Sequence, residues 1–225
     1  MINEELVRKV IAEVLQEVAA SENVGSASVT ARPSAPAPAV KAGISMEMTE
    51  KERATRGTDA REVVVAIPPA FGTEFDATIV DVSLADVLRQ VFAGIEEQGL
   101  SWRLVRVYHT ADVAFIAHQA AKLSGSGVGI GIISRGTTVI HQRDLAPLNN
   151  LELFPQSPLL DLETFRAIGR NAGMYAKGEQ PVPVATKNDP MARPKFQGIA
   201  ALLHNKEVKA LDRSKSPMEL QVRFR

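Results

Sequence analysis

The chain has 225 residues, and 45% of them are hydrophobic, enough apolar mass for a true core. Lys+Arg and Asp+Glu each number 26, so the formal net charge is zero and nothing points to nucleic acid as a partner. Cysteine is absent, which excludes disulfides, thiolate metal sites and sulfur nucleophiles. The histidines, His109, His118, His141 and His204, lack the paired spacing of a zinc helix. The first twenty residues contain no signal-peptide apolar stretch, and no run is long enough to span a bilayer. A soluble protein of the cytoplasm, without a membrane role, is the expectation.

In chain order, "INEELVRKVIAEVLQEV" comes first and spaces Ile2, Leu6, Val10, Ile11, Val14, Leu15 and Val18 as one helical stripe. Asn3 is placed to cap it, and Glu4 and Glu5 suit the positive end of its dipole. An amphipathic helix over residues 1–20 is predicted, docking either on a separate partner or on its own domain; a membrane-surface helix would be richer in Lys and Arg. Residues 21–60, rich in Ala, Ser, Pro and charge, read as a flexible tether. Residues 61–225 then read as an α/β domain. "EVVVAI" is a buried strand ended by Pro68 and Pro69, and "ATIVDV" is a second short run. Ser83 and Asp86 form a capping-box-like start to "LADVLRQVFAGIEEQG", with Gly99 as its stop. "RLVRVY" (strand), "DVAFIAHQAAKL" (helix) and "GVGIGII" (strand) continue the alternation expected of parallel α/β units. "LDLETFRAIGRNAGMYAKG" is a further helix, and "IAALLHNKEVKAL" fits either helix or strand.

The run "SGSGVGIGIISRGTTVIHQ" raises the question of a nucleotide loop. Gly125, Gly127, Gly129 and Gly131 miss the first–third–sixth spacing of a dinucleotide fingerprint, they enter a strand rather than a helix, and no Gly-Lys-Ser/Thr follows. A stand-alone nucleotide-binding module is thereby weakened. In an extended run, Val128, Ile130 and Ile132 share one face, while Gly129 and Gly131 leave the other nearly bare. That bare face fits two readings: tight packing of a helix on the sheet, favoured by the run itself, or close approach of a large ligand. Beyond it, "RGTT" offers a cation and two hydroxyls where open α/β sheets gather ligands. Asp112 is either a ligand contact or a helix N-cap. Arg193 and Lys195, in "MARPKF", meet a phosphate or amide oxygens or are solvated. His141 has no Ser or Asp partner at a diagnostic spacing and is read as structural. "NLELFPQSPLL" reads as a loop whose Leu153, Phe154 and Pro155 make a contact or pack in the core.

Taken in order, "EVVVAIPPAFG", "FAGIEEQG", "ADVAF", "KLSGSG", "GTTVIHQ", "NLELFPQSPLL", "NDPMARPKF" and the tethered N-terminal helix resemble the medium subunit of adenosylcobalamin-dependent diol/glycerol dehydratase. The resemblance spans essentially the whole chain. It implies a Rossmann-like α/β fold with a mostly parallel sheet flanked by helices. It also implies a heterohexamer with two copies each of large, medium and small subunits, served by a reactivating factor. Radical dehydration of 1,2-diols or glycerol is expected in the large subunit, and this chain is expected to close the lower face of the corrin and to carry no catalytic or metal-binding residue. By the same resemblance, Asp112 accepts from a peripheral amide, Arg193 donates to amide or phosphate oxygens, and Phe196 flanks the corrin edge. Thr137, Leu153 and Pro155 are added from loop placement. Arg135 stands where the family pattern has lysine, keeping charge with altered reach, and Phe196 where it has tyrosine, removing a hydroxyl. Mutases that replace the cofactor's base resemble one another in an Asp-x-His-x-x-Gly; no histidine here has aspartate two residues before it, so the cofactor's own base is expected to stay on cobalt. The N-terminal helix resembles the encapsulation peptides of bacterial microcompartments, which favours 1,2-propanediol over glycerol and places the enzyme in such a compartment of the bacterial cytoplasm, with a shell or cargo protein as the partner of residues 1–20. The alternatives are a glycerol dehydratase medium subunit and a reactivase-like chaperone subunit.

Overall fold

Val63, Val65 and Ile67 belong to one hydrophobic cluster and Val64 and Ala66 to another, and all five are fully buried, so the strand that carries them (β2, Glu62–Ile67) needs cover on both faces. That requirement organises the fold. The computed structural model describes residues 45–154, 160–185 and 192–225. Within them run β1 (Met46–Arg53), β2, β3 (Ser101–Arg106), β4 (Val128–Ile132), β5 (Thr138–Gln142), β6 (Glu152–Phe154) and β7 (Met218–Phe224). They form one sheet in the order β1-β7-β3-β2-β4-β5-β6.

The sheet is mixed, which corrects the mostly parallel expectation. β2 is parallel to β3 and to β4, whereas β1–β7, β3–β7, β4–β5 and β5–β6 are antiparallel. The reason is connection length. A parallel partner needs a crossover of about a dozen residues or more, and the turn 133–137 between β4 and β5 is too short to be one. β6 forms where the sequence reads as a loop, and β7 was not foreseen.

Two further elements differ from expectation. Residues 46–53, assigned above to the tether, form edge strand β1 against β7 and belong to the folded unit Ala42–Arg225. Only Met46 and Met48 in this stretch are large and apolar, so its strand character comes from pairing rather than from hydrophobic period. Conversely, "ATIVDV" turns back on itself. Thr78 Oγ1 accepts from the N–H groups of Val80 and Val82, Thr78 N donates to Val82 O at 2.8 Å, and Asp81 takes φ 59°. A threonine that bonds its own backbone competes with a sheet ladder.

The helices are α1 (Leu84–Glu97), α2 (Val113–Leu123), α3 (Leu162–Ala176) and α4 (Ala192–Lys209), the last settling the ambiguous tail as helix. Ser83 caps α1 by accepting from Asp86 N, and Gly99, at φ 72°, follows its end. α1 and α3 supply Leu84, Leu88, Val91, Ile95, Phe165 and Ile168 to the cluster with Val63, Val65, Ile130 and Ile132. α2 supplies Ile116, Ala120 and Leu123 to the opposite cluster with Val64 and Ala66.

α2 also answers the question of the bare glycine face. Gly129 and Gly131 register beside Val64 and Ala66, so they share the α2 side. A Cβ on Gly129 would lie 2.3 Å from Ala121 N, and one on Gly131 would lie 2.6 Å from Ala117 N. Helix backbone fills the space, so the reading of close ligand approach at these glycines is corrected.

Candidate functional site: the carboxyl-end edge of the sheet

β2, β3 and β4 all point their carboxyl ends to one edge, where the turn 133–137, the N-terminus of α2 and the end of β6 meet. Antiparallel pairing brings β6 there: Thr138 pairs with Ile132 and with Phe154, so the end of β6 returns beside the turn. This edge collects several residues named from the sequence. Asp112 is exposed and caps α2, its Oδ1 accepting from Ala114 N at 2.8 Å, so the capping role is real. Arg135 and Thr137 are half-buried in the turn. Leu153, on β6 opposite Val139, is 45% exposed. Its neighbour Glu152 is buried and anchors the strand, accepting from Asn171 Nδ2 and Val184 N, each at 2.8 Å.

Helix α4 is tied to the same turn by polar contacts. Arg135 Nη1 donates to Ala200 O at 3.0 Å, and Ser134 N donates to Glu207 Oε1 at 2.8 Å. Lys206 Nζ reaches the loop after β2 and donates to Glu74 O at 2.7 Å. Phe196, partly buried, and the backbone of Arg193 lie on the first turns of this helix; the Arg193 side chain lies outside the described residues, as does Pro155. Arg135 therefore has a structural duty that the sequence did not disclose: it holds the helix that carries two other predicted contacts.

Ser134, Glu207 and a partly buried network at the end of β3 were missed by sequence reasoning. Glu207 is the lone acidic residue in α4, a signal that was legible. At β3, Arg106 is buried, donating through Nη2 to Phe71 O at 3.1 Å. Nearby, Lys215 donates to Glu50 Oε2 at 2.8 Å, and the Tyr108 hydroxyl donates to the same carboxylate. Those two donors hold the Glu50 carboxyl below its ordinary range, while burial, helped by Glu50, pushes the Tyr108 hydroxyl up. These groups cross-link β1, β3 and the entry to β7.

His141 is structural, as expected. It is fully buried, with Nδ1 2.8 Å from Gln142 O and Nε2 3.2 Å from Pro147 O, and its ring meets that of His118 edge-on at 4.7 Å. Burial, then Lys122 and His141, lower the pKa of His118. Two open clefts of about 580 and 590 Å³ occur elsewhere, and neither is lined by a residue predicted to bind cofactor. Among the described residues no cluster of three or more His, Cys, Asp or Glu is arranged to hold a metal ion.

The family whose sequence model matches this chain is described as dehydratase medium subunit, and the match runs over residues 68–182, just over half of the chain. This chain belongs to the dehydratase medium subunit family. The matched stretch contains Asp112, Arg135, Thr137, Leu153 and Pro155, and it ends before Arg193 and Phe196. Among solved structures, the chain is similar to a glycerol dehydratase reactivase at 22% identity and TM-score 0.44, over 56% of this chain and 96% of that one. It is also similar to a diol dehydratase-reactivating factor complexed with ADP and Mg2+, at 26% identity and TM-score 0.40, over 55% of this chain and 96% of that one.

Proposed function

We propose that this chain is the medium subunit of an adenosylcobalamin-dependent diol dehydratase acting on 1,2-propanediol, and that its carboxyl-end edge forms the floor for the lower face of the cofactor against a large catalytic subunit. The observation that supports it best is the gathering of Asp112, Arg135, Thr137 and Leu153 at one edge of a chain that belongs to the dehydratase medium subunit family.

A corrin is a broad disc ringed by amides, so it suits an open rim with scattered polar partners and an apolar patch. The donor set at this edge fits that chemistry. The exposed Asp112 carboxylate accepts amide N–H groups, the Thr137 hydroxyl both donates and accepts, and half-exposed Leu153 offers apolar contact. The glycine face does not fit, because α2 occupies it. When bound, the cofactor supplies the radical that starts dehydration of a diol held by the large subunit. The residues of this chain orient the corrin and exclude water from its lower face; none of them transfers a proton to substrate. Arg135 also acts through α4, fastening by its bond to Ala200 O the helix that carries Phe196.

The assembly we propose contains two copies each of large, medium and small subunits, with a reactivating factor as a further partner. No histidine of this chain would replace the cofactor's own base, since none has aspartate two residues before it. Residues 1–20, outside the described residues, direct the enzyme to a bacterial microcompartment.

Affinity purification of the full chain with its neighbours tests the assignment. A coloured corrinoid complex with large and small subunits that converts propanediol to propionaldehyde is expected; a bound nucleotide without corrinoid would overturn it. Glycerol turned over in preference to propanediol would move the substrate assignment to the alternative. Electron spin resonance of the inactivated complex carrying isotopically labelled histidine should show no coupling from a protein nitrogen. Deletion of residues 1–20 should release the enzyme from shells with turnover intact.

A further inference from the structure

Helix α4 is attached in an unusual manner. Its outward residues include Ile199, Leu202 and Val208, of which Leu202 is 71% exposed, while its one fully buried residue of known exposure is the carboxylate Glu207. A surface helix ordinarily buries its apolar stripe. Here the fastening is polar instead: Ser134 N to Glu207 Oε1, Arg135 Nη1 to Ala200 O, and Lys206 Nζ to Glu74 O.

The inner end of this clasp is incompletely satisfied. Among the described residues, Glu207 Oε2, Ser134 Oγ and His204 Nδ1 are each buried without a hydrogen-bond partner. Ser134 adjoins the Glu207 carboxylate, and His204 lies three residues before it, on the same helix face. A buried carboxylate held through one backbone N–H costs free energy that the rest of the fold must offset. What it holds is the helix whose first turns carry Arg193 and Phe196.

We propose that Glu207 is a positioning residue for cofactor binding: its bond to Ser134 N clasps α4 onto the 133–137 turn and so sets the seat of the helix's first turns, Phe196 among them, for the cofactor. This rests on the function proposed above. The bond needs only an acceptor, so glutamine at 207 preserves it, and the glutamine amide adds a donor suited to Ser134 Oγ or His204 Nδ1. Alanine removes the acceptor and leaves Ser134 N–H buried and unpaired.

The test compares Glu207→Ala and Glu207→Gln in two measurements. Amide hydrogen exchange across residues 196–209 of the full-length chain reads the clasp without any cofactor. Cyanocobalamin binding by the complex with large and small subunits, followed by its visible spectrum, reads the seat. Glu207→Ala should speed exchange in α4 by about tenfold or more and weaken cyanocobalamin binding by about tenfold, with Glu207→Gln restoring both. Unchanged exchange in Glu207→Ala overturns the clasp. Faster exchange with unchanged binding overturns the positioning role. Glu207→Gln behaving like Glu207→Ala also overturns it, since the carboxylate charge would then be what matters. Failure of the wild-type complex to bind cyanocobalamin would sink the proposed function, while the exchange measurement still judges the clasp. If Glu207→Ala does not fold, Arg135→Met removes the Ala200 tie and must loosen the same helix residues for the clasp to stand.

Discussion

Substitution of Gly129 by alanine should destabilise the domain by about 2 kcal/mol, an outcome opposite to what strand propensity predicts. Alanine in a strand interior is better than glycine by roughly 0.5–1 kcal/mol, because less backbone entropy is lost on folding. Against that gain, the new Cβ would sit 2.3 Å from Ala121 N, 2.5 Å from Ala120 C and 2.7 Å from Ala120 Cβ. Comfortable heavy-atom contacts lie near 3.5–4.0 Å, so α2 must retreat from β4 by roughly 1 Å. Two of those three atoms are helix backbone and cannot swing aside as a side chain would. Retreat loosens the contacts of Ile116, Ala120 and Leu123 with Val64 and Ala66, a disturbance in the upper part of the overpacking range of about 1–3 kcal/mol. Urea unfolding followed by far-UV circular dichroism should show a lower midpoint at unchanged slope, and the melting temperature should fall by about 4–8 °C. A midpoint within about 0.5 kcal/mol of wild type would mean that α2 does not fill this face, and the argument against a ligand there would collapse.

Gly198 provides the contrasting case: it lies inside α4 with nothing within 4 Å of an added Cβ, so Gly198→Ala should stabilise by about 0.5–1 kcal/mol in the same titration. Asp112 separates capping from cofactor contact, since Asp112→Ala loses the cap and about 1 kcal/mol, whereas Asp112→Asn keeps the cap. If the carboxylate also accepts from the corrin, both variants weaken cyanocobalamin binding by the complex; equal binding by wild type and the asparagine variant would remove that role. For His118, whose folded pKa is lowered below the ordinary 6.5, the unfolded chain binds more protons in the window between the two values. Stability from this group is complete above pH 6.5 and is lost as pH falls toward the folded value, and His118→Leu should flatten that part of the profile measured by chemical unfolding. An unchanged slope would assign the dependence to another group.

Much of the architecture was legible because it rests on local periodicity. The two faces of "EVVVAI", the Ser83 cap and the Gly99 stop of α1 are short-range features, and each appears where the pattern puts it. Asp112 was readable as a cap for the same reason. The site was legible in part: Asp112 and Arg135, named through the family resemblance, share one edge with Thr137 and Leu153, named from loop placement, but the duty of Arg135 toward Ala200 was not legible, because it depends on a helix 65 residues away.

By itself, then, the amino-acid order determined α1, α2 and α3 as helices, the cap and stop of α1, and that the glycine run misses the dinucleotide spacing. Strand direction, the pairing of "MEMTEKER" with "MELQVRF", and the occupant of the glycine face were decided only in three dimensions. The physical reason is that periodicity records whether a side chain faces a core, whereas pairing and packing depend on which distant backbone supplies the missing hydrogen bonds and atoms. Glu207 shows this most clearly: an isolated acid in a basic helix becomes a buried fastening because Ser134, 73 residues earlier, presents its N–H to it.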